Sequence, residues 1–104
     1  MSFEGNRIVV IIPAFNEEKS ISKVINAIPN IVDEIIVINN GSDDSTAIKA
    51  SISGAKVIRE DRKGYGYACL KGIDYLHKNP PDIVVFLDGD YSDYPEDLGT
   101  VIKP

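Results

Sequence analysis

The sequence is short of the groups on which several kinds of protein depend. It has one cysteine, Cys69, which excludes an internal disulfide framework and a cysteine-built zinc cluster. It has one histidine, His77, near the end of a helical pattern, where a partial positive charge is favoured. Cys69 lies on an apolar helical pattern and reads as core, and with His77 in a different type of site there is no basis for a catalytic triad. No run of 18 apolar residues exists, so no transmembrane helix is expected. The N-terminus lacks the basic and apolar blocks of a secretory signal. A reducing, cytoplasmic setting is the expectation. Basic residues are the minority: 11 against 16 acidic, net charge −5, which argues against general nucleic-acid binding. There is no linker, repeat or low-complexity stretch.

What the chain has is a strand–loop–helix pattern, repeated. Its 104 residues, 43% of them hydrophobic, suffice for one small domain with a true core. Ile8–Ile12 is a continuous β-branched run of the kind buried on both faces of a parallel sheet, ended by Pro13. Glu18–Ile28 follows with Ile21, Val24, Ile25 and Ile28 at helical spacing. Ile35–Ile38 predicts the second strand and Asp44–Ser53 the second helix, with Gly54 at its end. Ala55–Ile58 is a shorter third strand. Tyr67–His77 predicts a helix with Ala68, Cys69, Ile73 and Leu76 on one face. Pro80-Pro81 forces an extended break, and Ile83–Leu87 is the fourth strand. A last helix is expected from Pro95, with Leu98, Val101 and Ile102 inward, cut after about two turns. The alternation predicts a Rossmann-like α/β fold, a mostly parallel sheet flanked by helices. The short last helix suggests the N-terminal portion of a larger domain.

In open parallel sheets ligands bind beyond the carboxyl ends of the strands. The most polar segments fall there: Pro13–Glu17, Asn39–Asp44 and Asp88–Asp93. Their convergence is the strongest argument for a site. The charge is also uneven. Asp82–Asp97 holds six acids and no base, whereas Lys56–Lys78 holds six bases and three acids. An acidic strand end that meets an anionic ligand needs a cation between them.

Each loop has a plain reading beside the functional one. Asp88 and Asp90, one residue apart, point to the same side in extended backbone. Two such carboxylates suit Mg²⁺ or Mn²⁺ together with substrate phosphates. The plain reading is a solvated Asp-Gly turn. The segment fails as a calcium EF-hand, because the sixth and twelfth positions from Asp88 are Asp93 and Gly99. A haloacid-dehalogenase-like phosphohydrolase, with Asp88 as nucleophile, is an alternative, although its paired aspartates normally follow the first strand. Asn39-Asn40-Gly41 is either a simple turn or a place where Asn40 meets a base or ribose and Gly41 lets the backbone approach. Asn16 either caps the following helix or belongs to the site; Glu17 either favours the helix dipole or binds a hydroxyl or base edge. Arg62–Gly66 looks like a phosphate cradle at a helix start, with solvated charge as the plain alternative. It is no dinucleotide fingerprint, since the third glycine's position is Cys69, and no Walker sequence exists.

Taken together, Ile11–Glu18, Glu34–Thr46 and Phe86–Asp90, in that order and spacing, resemble family 2 glycosyltransferases of the GT-A fold. Lys63–Ala68 is similar to the family's glycine-rich helix start. Tyr91–Leu98 looks most like the branch containing dolichyl-phosphate mannose synthase and polyprenyl-phosphate sugar transferases. The resemblance implies that residues 1–104 form the nucleotide-sugar-binding part of a glycosyltransferase. It implies that Pro13, Phe15 and Glu17 line a base and ribose pocket completed by Ile38 and Asn40. Asp88 and Asp90 would hold Mg²⁺ or Mn²⁺ against the diphosphate of a GDP- or UDP-linked sugar, with Gly89 packed close to the donor. Ser92 would stand where relatives offer another metal ligand. The acceptor implied by that branch is a polyprenyl (lipid) phosphate, at the cytoplasmic face of a membrane. Asn39 and Asn40 depart from the family, which commonly has Asp at one or both places. The family's catalytic base lies beyond the segments matched. A non-catalytic nucleotide-binding domain is a further alternative.

Overall fold

The computed structural model describes residues 5–89. Asp90, Ser92 and the helix expected from Pro95 lie outside them.

The β-branched runs become strands and the one-sided apolar patterns become helices. Their order is β1 (Ile8–Ala14), α1 (Ile21–Ala27), β2 (Glu34–Asn39), α2 (Thr46–Ile52), β3 (Lys56–Arg59), α3 (Tyr65–Leu76) and β4 (Ile83–Phe86). The strands form one parallel sheet in the order β3-β2-β1-β4. β1 is central, and all seven of its residues are buried. Its side chains alternate between two cores. Val10, Ile12 and Ala14 join Val24, Ile25 and Ala50 on the α1–α2 face. Val9 and Ile11 join Ile36, Ile38, Ala68 and Leu76 on the α3 face. Each buried Val or Ile contributes about 1.5–3 kcal/mol, so this strand is the main apolar anchor of the fold.

Three local expectations are corrected. Pro13 does not end β1; it lies within it, opposite Ile38. The backbone groups of odd-numbered β1 residues face β4, as the Leu87 N–H to Ile11 carbonyl bond shows. The paired stretch with β4 stops at Ile11–Phe86, two residues short of Pro13. The missing N–H of proline therefore costs no ladder bond.

The first helix starts at Ile21 rather than near Glu18. The N–H groups of Asn16, Glu17 and Glu18 are instead taken by side chains of Ser42, Thr46 and Asp44. Asn16 does not cap α1, since it lies in the left-handed region (φ 53°) ahead of the Ser20 cap position.

The buried face of α3 is Ala68, Gly72 and Leu76, not the expected stripe with Cys69 and Ile73. Ile73 is half exposed, and Cys69 is partly buried. Glycine selects this face. A Cβ on Gly72 would lie 2.8 Å from both Cδ1 and Cγ2 of Ile11, so its absence lets α3 approach β1. An exposed apolar surface, which the sequence did not suggest, also appears: Ile73 on α3 and Val84 and Phe86 on β4 are all partly open to solvent. No helix among the described residues is long and apolar enough to cross a membrane.

Candidate functional site: a strand-end cavity

All four strands run the same way, so their carboxyl ends share one edge of the sheet. A cavity of about 310 Å³ opens there. Pro13, Ala14, Phe15 and Glu17 line it from the end of β1, and Asn40 from the end of β2. Tyr65 and Ala68 come from the start of α3, and Asp88 and Gly89 from the end of β4. The volume lies at the lower end of the range of small-molecule sites.

Of the residues singled out from sequence, Pro13, Phe15, Glu17, Asn40, Asp88 and Gly89 thus meet at one cavity. Ile38 does not line it. It is fully buried in the core cluster that also contains Ala68, underneath the lining. Asp90 lies outside the described residues. Ala14, Tyr65 and Ala68 lie within segments singled out from the sequence but are not among its named site residues; the fold brings the start of α3 against the end of β1.

The loop after β1 is fastened to the segment after β2. Asn16 N–H donates to Ser42 Oγ (3.0 Å), and Asp43 N–H donates to Asn16 Oδ1 (2.8 Å). Glu17 N–H donates to Thr46 Oγ1 (2.9 Å), and the Thr46 hydroxyl donates in turn to Asp44. Ser45 N–H donates to Glu18 Oε1 (3.1 Å). Thr46 is completely buried. Its hydroxyl holds the Asp44 carboxyl below the usual carboxylate range, aided by the N–H groups of Thr46 and Glu18. The short polar side chains of residues 42–46 are therefore the scaffold on which the Glu17 loop rests.

Asn40 serves the opposite wall. Its Nδ2 donates to the carbonyls of Glu60 (2.9 Å) and Arg62 (2.8 Å), and its Oδ1 accepts from Gly64 N–H (3.0 Å). Both amide hydrogens are spent on backbone, so Asn40 shapes the wall while its donors are already satisfied. Gly41 follows in the left-handed region (φ 82°), which glycine adopts without strain. Within the same wall, Glu60 accepts from the N–H, Nε and Nη2 of Arg62 at 2.8, 3.1 and 2.9 Å. These bonds hold the Glu60 carboxyl down to about 2 and raise the Arg62 guanidinium above its ordinary value. Arg62 also stacks on Tyr67, its Cζ 4.6 Å from the ring centre. Lys63 turns towards the cavity side, its Nζ 5.0 Å from the centre of the Phe15 ring.

The acidic end of the cavity comes from Asp88 and Glu17. No cluster of three or more metal-ligating side chains occurs among the described residues. A hard divalent cation held by one or two carboxylates and completed by ligand phosphates does not require one. Oxygen donors on the cavity wall fit such an ion.

A parallel α/β domain with a carboxylate-bearing cavity at its strand ends is the architecture of nucleotide-binding domains. The chain belongs to glycosyl transferase family 2, whose family model matches residues 9–104. Among curated proteins it is similar to glucosyl-3-phosphoglycerate synthase of Mycobacterium tuberculosis, 40% identical over 98 residues, which cover 83% of this chain and 29% of that protein. The chain thus spans under a third of that relative's length. A crystal structure of the M. tuberculosis synthase with UDP superimposes with a TM-score of 0.81 at 36% identity, covering 97% of this chain and 40% of that one. Another, with Mn²⁺, UDP and glucosyl-3-phosphoglycerate, gives a TM-score of 0.71 at 39% identity, covering 83% and 34%.

These likenesses correct the expected branch. The relative just described is a glucosyl-3-phosphoglycerate synthase, not a dolichyl-phosphate mannose or polyprenyl-phosphate transferase. The expectation leaned on Tyr91–Leu98, a short segment just past the strand-end acids, and a lipid-phosphate acceptor falls with it. Membership of the transferase family also sets aside the phosphohydrolase reading of Asp88.

Proposed function

We propose that this chain is the donor-binding part of a glycosyltransferase that takes a UDP-linked sugar with Mg²⁺ or Mn²⁺. The observation that carries the reading is the meeting of Pro13, Phe15, Glu17, Asn40, Asp88 and Gly89 around one strand-end cavity. Support for uridine over guanosine comes from the M. tuberculosis synthase, crystallised with UDP and Mn²⁺ and also with UDP and Mg²⁺. In this reading Pro13 and Phe15 form the apolar wall for base and ribose, and Glu17 accepts a hydrogen bond from a donor hydroxyl or base edge. Ile38 supports the floor from below. Asp88 and Asp90 hold the cation. When bound, the cation neutralises the diphosphate and the charge that grows on it as the sugar leaves. Gly89 allows the donor to approach the backbone, and Lys63 adds positive charge on the Phe15 side.

The acceptor favoured by likeness is a small phosphorylated three-carbon acid, the class the relative's name gives. A cytoplasmic setting belongs to the same proposal, supported by the single free cysteine. Titration calorimetry of UDP and GDP, each with and without Mn²⁺, tests the donor reading. UDP should bind in a Mn²⁺-dependent manner, and Asp90→Ala should abolish the Mn²⁺ dependence. Equal UDP binding with and without metal would sink it.

A further inference from the structure

Of the successive N–H groups of Asn16, Glu17 and Glu18, the last two lead to the same carboxylate. Glu18 N–H donates to Asp44 Oδ2 at 3.3 Å. Glu17 N–H donates to Thr46 Oγ1 at 2.9 Å, and that hydroxyl gives its own proton to Asp44 Oδ1. The same Oδ1 accepts from Thr46 N–H at 3.0 Å. The N–H of Glu17 belongs to the peptide before its Cα, and the N–H of Glu18 to the peptide after it. Each peptide is a rigid plane, so holding both fixes the backbone at Glu17 and with it the direction of its Cα–Cβ bond. Asp44 therefore grips Glu17 from both sides, directly on one and through the buried Thr46 on the other. Glu17 lines the strand-end cavity, whereas Asp44 and Thr46 do not.

We infer that Asp44 is a positioning residue for Glu17: by holding the peptides on both sides of it, Asp44 sets the direction of the Glu17 side chain at the cavity wall, and so sets affinity for the donor nucleotide without touching it. The inference rests on the proposed donor reading, in which Glu17 accepts a hydrogen bond from the donor. Such a bond weakens steeply when its angle is lost, so a Glu17 that turns freely contributes little. The grip needs an acceptor at both ends of residue 44, which an ionised carboxylate supplies. An asparagine there has one accepting oxygen and one donating nitrogen. It would set a donor against either Glu18 N–H or the two Thr46 donors, and one side of the grip would open.

The test is a double-mutant cycle on UDP affinity, measured by titration calorimetry at saturating Mn²⁺, with Asp44→Asn, Glu17→Ala and the two combined. Asp44→Asn alone should weaken UDP binding roughly tenfold, the scale of one hydrogen bond to a charged group. With Glu17 already replaced by alanine, the same change should weaken it by less than about twofold, because no carboxyl is left to aim. A purely structural defect would lower affinity alike in both backgrounds. Thr46→Val, which breaks the grip on one side, should weaken UDP binding about threefold, and Thr46→Ser, which keeps the hydroxyl, should restore it. If Asp44→Asn binds UDP like the parent protein, or loses as much without the Glu17 carboxyl as with it, the role of Asp44 is overturned while the donor reading stands. If Asp44→Asn does not fold, equal UDP affinities of Thr46→Val and Thr46→Ser overturn it instead. If the parent protein itself shows no Mn²⁺-dependent UDP binding, the donor reading fails and the inference falls with it.

Discussion

The β1 wall of the cavity is held by several side chains with one bond each, the α3 wall mainly by one carboxamide and one ion pair. On the β1 side, the N–H groups of Asn16, Glu17 and Glu18 are taken up one each by Ser42, Thr46 and Asp44. On the α3 side a single carboxamide, Asn40, makes three hydrogen bonds to the segment 60–64, and one ion pair stiffens that segment. The difference is one of redundancy. Losing one hydroxyl on the first wall leaves its neighbours in place. Losing Asn40 frees two carbonyls and an N–H together, and each buried polar group left unpaired costs about 1–3 kcal/mol.

The sharpest way to break this contrast is Asn40→Asp. The aspartate oxygen that replaces Nδ2 would face the carbonyls of Glu60 and Arg62, turning two attractions into repulsions. A loss of about 3 kcal/mol or more is expected in urea unfolding. A variant as stable as the parent would remove Asn40 from its central place. The substitution is informative because in this chain the segment 60–64 is built around the Asn40 amide.

Gly72→Ala should come next. It gains helix propensity, about 1 kcal/mol, but forces a methyl against Ile11. Overpacking of this kind costs about 1–3 kcal/mol, so a net loss of up to about 2 kcal/mol and a loosened α3 are expected by thermal unfolding. An increase in stability would mean that α3 has room to spare.

Thr46→Val keeps the shape and removes the hydroxyl that links Glu17 to Asp44. A loss of about 1 kcal/mol fits a wall whose other bonds persist. Destabilisation exceeding that of Asn40→Asp would invert the comparison.

The smallest effect concerns pH. Glu60 has its pKa held at about 2, against 4.5 in an unfolded chain, by the bonds from Arg62. Its contribution to stability is complete above about 4.5 and fades as the pH falls towards 2. Glu60→Gln should therefore flatten the acid limb of the stability profile and leave the slope at neutral pH unchanged. Arg62 is largely exposed, so solvent screening keeps the effect modest. Parallel acid limbs for the two proteins would show that the ion pair does not persist in solution.

Much of this molecule is legible one element at a time. Ile8–Ile12 and Ile83–Leu87 read as strands because their apolar runs have no polar face, although only the first is buried throughout. The alternation of strand and helix implies a parallel sheet with its ligand edge at the strand ends. Asp88-Gly89 and Pro13–Glu17 stand out because polar residues follow immediately on apolar ones. The misreadings have a common cause. Ile73 fits the helical period as well as Gly72 does, but only the contact with Ile11 reveals that the face without a side chain is the inner one. Glu18 looks like the first residue of a helix, yet the N–H groups just before that helix are claimed by a segment some 26–29 residues away.

The sequence by itself determined the strands, their parallel class, the edge where the cavity opens and the family. Those follow from burial patterns and local spacing, which each segment carries within itself. The tertiary structure alone decided how the polar side chains are employed. Asn40 lines the cavity and also braces the segment 60–64, Ser20 reaches across to the carbonyl of Gly89, and Thr46 is the link beneath Glu17. A hydrogen-bonding side chain takes whichever partner the fold brings within about 3 Å, and no local pattern encodes that choice when the partner comes from another strand end.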